Sequence, residues 1–138
     1  IFNVVIYLKF NLLIIMKNIL IFILIFFSFN SVATSKETTF TNEIFDKSQL
    51  DGKTVVIHSW NKTCVTCARQ VEILDQAKKD FKDVIFLSFE QTKDKKIAQF
   101  LGIDYWTTIV VYRDNKEISR TIGQTDKDEL YSQIRSIQ

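Results

Sequence analysis

The chain has 138 residues, a formal net charge of +2, no proline, and glycine only at Gly52, Gly102 and Gly123. That length fits one ordinary domain, and so little glycine and proline excludes flexible linkers and low-complexity segments. From Thr34 onward sixteen basic residues are matched by sixteen acidic ones, and no basic stripe with interleaved aromatics stands out, so a nucleic-acid partner is not expected.

Residues 1–15 are very apolar and begin with Ile, so Met16 is the expected initiator. Lys17 and Asn18 precede Ile19 to Phe27, nine residues without a polar side chain, and small residues at Ser31 and Ala33 follow. A short positive region, an apolar run and small residues make the layout of a secretory signal peptide. The run is short for a spanning helix, which needs about 20 residues. Cleavage after Ala33 is therefore expected, with a membrane anchor as the alternative if residues 1–15 are translated. This assigns residues 1–33 to targeting, with the signal peptide at 16–33, and residues 34–138 to one folded domain. The expected location is periplasmic or in the cell envelope.

A short strand and a helical turn fit between Thr38 and Leu50. Lys53 to Trp60 holds the run Thr54, Val55, Val56, Ile57 and His58, suited to a strand buried on both faces. Val65, Ala68, Val71, Leu74, Ala77 and Phe81 then recur every three or four residues and predict an amphipathic helix ending near Asp80. Val84 to Phe89 reads as a strand, Lys93 to Leu101 as a helix closed by Gly102, and Thr107 to Tyr112 as a strand. A turn at Arg113 to Lys116 leads into a return strand, Glu117 to Ile122. Thr125 or Asp126 caps a final helix with Leu130, Ile134 and Ile137 on its apolar face. The order predicts an α/β fold with a mixed sheet of four or five strands and helices on both faces. Its βαβ units are expected to be parallel with right-handed crossovers, and its terminal hairpin antiparallel. The charged run Lys93 to Lys96 reads as a solvated first helical turn and is assigned no partner.

The two cysteines, Cys64 and Cys67, stand where the first long strand hands over to the amphipathic helix. At a helix start the unpaired N–H groups and the helix dipole favour negative charge, so the Cys64 thiol should ionise readily. A thiolate there attacks a disulfide, and Cys67, one turn further in, resolves the mixed disulfide by intramolecular attack. A purely structural disulfide is the first alternative, although so small a ring constrains the unfolded chain little. A metal is the second: structural zinc takes four ligands, and two cysteines with the single His58 fall short. Haem attachment would need a histidine where Ala68 stands. No cofactor is expected beyond the redox-active pair itself.

The strand, Trp60, the Cys-x-x-Cys pair at a helix start, and Gly102 and Ile103 before a hydrophobic hairpin together resemble the thioredoxin family over about residues 40–138. The resemblance implies a thioredoxin-like fold, Cys64 as nucleophile, Cys67 as resolving thiol, and Trp60 packed against the site. Gly123 resembles the family's glycine after the last strand. Two positions depart from the family. His58 replaces an acidic residue buried beneath the resolving thiol, where a neutral imidazole could take the proton from Cys67; a satisfied core histidine is the alternative. Thr107 replaces the cis-proline that faces the cysteines, and either keeps a cis bond at about 2.5–4 kcal/mol or leaves the loop trans.

The resemblance places Trp60, Trp106 and Thr107 at the substrate, with Tyr105 and Trp106 as an apolar ledge for a protein. The Val65-Thr66 dipeptide between the cysteines looks most like the Val-Ala of the thioredoxin domain in the bacterial transmembrane electron-transfer reductase. That favours a reductant of protein disulfides, supplied by a membrane-borne electron donor and acting as a monomer; Lys62 beside the site pulls the other way. Two further readings stay open. In one, loss of the proline lets two chains pool their cysteines around zinc or an iron–sulfur cluster. In the other, the chain is a thiol-bearing binding module or chaperone without turnover.

Overall fold

The computed structural model describes residues 15–17 and 38–136. Residues 15–17 are helical; the remainder of the expected signal peptide, its cleavage point after Ala33, and Ile137 lie outside the described residues. By contacts the chain divides between Thr34 and Ser35, and the second unit, taken by itself, holds the sheet and the cysteines.

The period of two along the strands decides how the sheet is covered. In β2 (Val55–Trp60) Val55 and Ile57 belong to one apolar cluster and Val56 to the other, all essentially sealed from solvent. In β3 (Ile85–Glu90) Phe86 opposes Leu87 and Phe89, and in β4 (Thr108–Arg113) Ile109 and Val111 oppose Val110. A sheet apolar on both sides needs helices on both sides. One face is covered by α2 (Val65–Asp80) and α4 (Lys127–Arg135), through Leu74, Ala77, Leu130 and Ile134. The other is covered by α1 (Asn42–Leu50) and α3 (Lys95–Phe100), through Phe45 and Ala98. With β1 (Thr38–Thr39) and β5 (Lys116–Ile122) the sheet has five strands in the order β1-β3-β2-β4-β5. This is the expected mixed sheet at its larger size.

Local chemistry sets the ends of the helices. The Thr41 hydroxyl accepts the Ile44 N–H at 3.2 Å and starts α1, a nine-residue helix where a single turn is expected from sequence. Asp126, rather than Thr125, caps α4 by accepting the Glu129 N–H at 3.0 Å. After α3 the Gly102 N–H reaches Gln99 O and the Ile103 N–H reaches Ala98 O, a Schellman closure that needs the positive φ of 58° at Gly102. The β4–β5 hairpin turns on Asp114 and Asn115, both at positive φ, as a two-residue turn of primed type requires.

One expectation needs correction. β1 and β2 run parallel to β3, but β4 runs antiparallel to β2, so the third β-α-β connection is not a parallel crossover. The cause is the length of α3. Its six residues rise about 9 Å, while six strand residues span about 20 Å, so α3 does not carry the chain back along the sheet. β4 therefore begins at the end where β3 finishes. Trp60 pairs with Glu90, Ser59 with Thr108, and Thr108 with Ile122, so four strand ends meet at one edge of the sheet. The start of α2 follows directly from it.

Candidate active site

Between β2 and α2 the chain turns on Asn61, whose side-chain oxygen accepts both the N–H and the hydroxyl of Thr63, at 3.0 and 2.9 Å. The Asn61 carbonyl then accepts the Cys64 N–H at 3.2 Å. This delivers Cys64 as the N-cap of α2, in extended conformation at φ −88° and ψ 105°. Its sulfur takes the place of a capping oxygen and accepts the Cys67 N–H at 3.0 Å. The two cysteines form a disulfide across a Cα separation of 5.2 Å. Cys64 is partly exposed, whereas Cys67 is buried at 3% exposure. A sixteen-residue helix with no acidic residue in its first turn directs its positive end at the Cys64 sulfur. The arrangement favours a thiolate on the accessible sulfur once the pair is reduced.

The buried face of α2 differs from the one expected. Val65 is 71% exposed and Ala68 is also exposed, while Cys67, Gln70, Leu74 and Ala77 face inward. Gln70 is fully buried and makes three hydrogen bonds. Its amide nitrogen donates to Thr107 O and Gln124 O, each at 3.0 Å, and its oxygen lies 3.1 Å from His58 Nε2. The apolar pattern of the sequence misses this residue because it is polar. The signal that points to it is the spacing itself, since Cys67, Gln70, Leu74 and Ala77 form one stripe.

His58 sits in β2 at 1% exposure, opposite Ser88 of β3. Burial pulls its pKa from the ordinary 6.5 down to about 4; the Gln70 hydrogen bond opposes the shift, and the charge of Lys78 adds slightly to it. The ring is therefore neutral near pH 7. Beside it lies a cavity of about 10 Å³, bounded among others by Ser88 and by Lys78, which pairs with Asp75 at 2.9 Å.

Thr107 settles the question of its loop. Among the described residues every peptide bond is trans, and Thr107 takes φ 68° instead. For a β-branched residue that conformation costs about 1–2 kcal/mol, so neighbours must hold it. The Thr107 N–H donates to Ser59 O at 2.9 Å, and its carbonyl accepts the Gly123 N–H at 2.9 Å as well as the Gln70 amide.

Of the expected site residues, Cys64, Cys67, His58 and Thr107 are brought together around the first two turns of α2. Trp60, at the end of β2, lines a groove of about 340 Å³ with Lys62, Glu90 and Lys93, where Lys93 pairs with the buried Glu90 at 2.7 Å. Trp106, 48% exposed, lines a groove of about 390 Å³ with Gln91, Gln99 and Ile103. Tyr105 beside it, in the same loop before β4, is 64% exposed. Among the described residues no group of three or more His, Cys, Asp or Glu side chains is placed to hold a metal ion.

Comparison with known proteins agrees with this geometry. A family model described as Thioredoxin matches residues 31–136. The chain is 30% identical over 93 residues to Thioredoxin H-type 1 of Nicotiana tabacum, covering 67% of this chain and 73% of that one. It is 29% identical over 86 residues to the chloroplastic Thioredoxin F-type of Pisum sativum, covering 62% of this chain but only about half, 47%, of the relative. Among solved structures, Trxlp from Edwardsiella tarda EIB202 superposes with a TM-score of 0.68 over 72% of this chain and 98% of that one. At 21% identity that likeness shows the fold.

Proposed function

The chain belongs to the thioredoxin family of thiol–disulfide oxidoreductases, and from that premise we propose that it is exported and reduces disulfides in other proteins. One observation carries the reading: the partly exposed Cys64 sulfur caps a long helix and receives the Cys67 N–H, while Cys67 itself is buried. In the reduced state the Cys64 thiolate attacks one sulfur of a substrate disulfide. A bond forms between Cys64 Sγ and that sulfur, and the other substrate sulfur leaves and takes a proton. Cys67 then gives up its proton and attacks Cys64 Sγ, forming the Cys64–Cys67 disulfide and releasing the second substrate thiol. Two electrons pass from the cysteine pair to the substrate. An external dithiol must return them, and outside the cytoplasm a membrane-borne donor meets that need.

His58 acts in this reading as the transient acceptor of the Cys67 proton. Its neutrality supports the role, since a neutral ring has a nitrogen lone pair free of a proton. The exposed Tyr105 and Trp106 supply the apolar contact for an unfolded or extended protein substrate.

Two measurements test the proposal. Insulin reduction driven by dithiothreitol, with the Cys64–Cys67 couple poised nearer to about −270 mV than to about −120 mV, is the expected result. A potential above about −160 mV on that scale would reverse the direction of electron flow. For export, the protein in its own host should be recovered outside the cytoplasm with an N-terminus near Thr34. An intact chain found only in membranes would overturn cleavage, and recovery from the cytosol would overturn export.

A further inference from the structure

The side-chain amide of Gln70 has two N–H donors and one oxygen that can only accept. Both of its nitrogen's neighbours, Thr107 O and Gln124 O, are carbonyl acceptors at 3.0 Å, so the NH₂ group must face them and the oxygen must face His58. An oxygen that only accepts requires a donor opposite it. The Nε2 of His58 therefore carries the ring proton, and the lone pair of the imidazole lies at Nδ1. One buried side chain thus sets the tautomer of the chain's single histidine. It also ties two loops to the helix that bears the cysteines: the loop carrying Trp106 and Thr107, and the turn at Gln124 after β5.

We propose that Gln70 is a positioning residue of the exchange reaction: its amide holds the Trp106–Thr107 loop in register with Cys64 for an incoming protein, and it orients His58 as the Nε2–H tautomer. This rests on the oxidoreductase reading above. Thr107 is where the clamp matters most, because it sits at φ 68°, and its carbonyl takes one of the two donors that Gln70 provides. The hydrogen bonds of Gln70 go to Thr107, Gln124 and His58 and not to either sulfur, and it lies one turn beyond Cys67. Its effect on chemistry is indirect and should appear mainly with substrates large enough to use the loop. A small dithiol does not use the loop and should depend on it less.

The test combines the unaltered protein with one near-isosteric variant. In uniformly ¹⁵N-labelled wild-type protein, the single imidazole should show a protonated Nε2 and an unprotonated Nδ1 at pH 7. The opposite tautomer would overturn the assignment. Gln70→Met keeps the shape and removes both donors; it should raise KM for insulin about tenfold, while the rate at which dithiothreitol reduces the Cys64–Cys67 disulfide, which feels the loss of His58 orientation but not of the loop, falls by a clearly smaller factor. No change in KM, or equal losses with both reagents, would overturn the positioning role. Should Gln70→Met not fold, Gln70→Glu is read in the same way, and failure of both to fold would make Gln70 a folding residue and defeat the proposal. If the wild-type protein does not reduce insulin at all, the oxidoreductase reading fails, whatever the tautomer shows.

Discussion

Cys64→Ser lowers insulin reduction more than about a thousandfold, the scale on which loss of a covalent nucleophile acts, whereas Cys67→Ser still attacks once and stops as a mixed disulfide. The asymmetry follows from where the helix start places the two sulfurs. Cys64 is reachable from solvent and sits where α2 concentrates its positive end, with the Cys67 N–H on its sulfur. Cys67 is 3% exposed and lies one turn inside the helix. A bulky protein disulfide can therefore meet only the first sulfur, while the second is held for intramolecular attack. Mass spectrometry after a single mixing with insulin should find substrate attached to Cys64 in the Cys67→Ser protein. Attachment through Cys67 in the Cys64→Ser protein at a comparable rate would show that the roles are not divided as the burial implies.

Much of this site is legible in the amino-acid sequence because its residues obey local rules. The apolar spacing from Val65 marks α2 with its observed end at Asp80, and Gly102 is followed by the chain reversal that its position suggests. Periodicity alone misplaces the buried face of α2, because it counts Val65 and Ala68 as core and passes over a polar Gln70. A buried glutamine is recognisable only when its partners are known, and those partners, Thr107, Gln124 and His58, come from three other segments. The direction of β4 is hidden for a similar reason, since it depends on α3 being too short to recross the sheet.

The stability of the folded protein should fall by about 3 kcal/mol between pH 7.5 and pH 4 through His58 alone. In the unfolded chain this imidazole titrates near its ordinary 6.5; in the folded protein burial lowers it to about 4. Between those values the unfolded state binds a proton that the native state refuses, so stability rises with pH across the window. The contribution is complete above pH 6.5, is lost as pH falls, and levels off once both states are protonated below about 4. The ring meets the neutral Gln70 amide, stands opposite Ser88, and feels the positive charge of Lys78. His58→Gln offers Gln70 a neutral donor that does not titrate, and other groups contribute alike to both proteins. Urea unfolding of the disulfide form at the two pH values should therefore show the wild-type protein losing about 3 kcal/mol more than the variant. Parallel losses would mean that the imidazole titrates in the native state near its ordinary 6.5, which would remove the buried environment assigned to it.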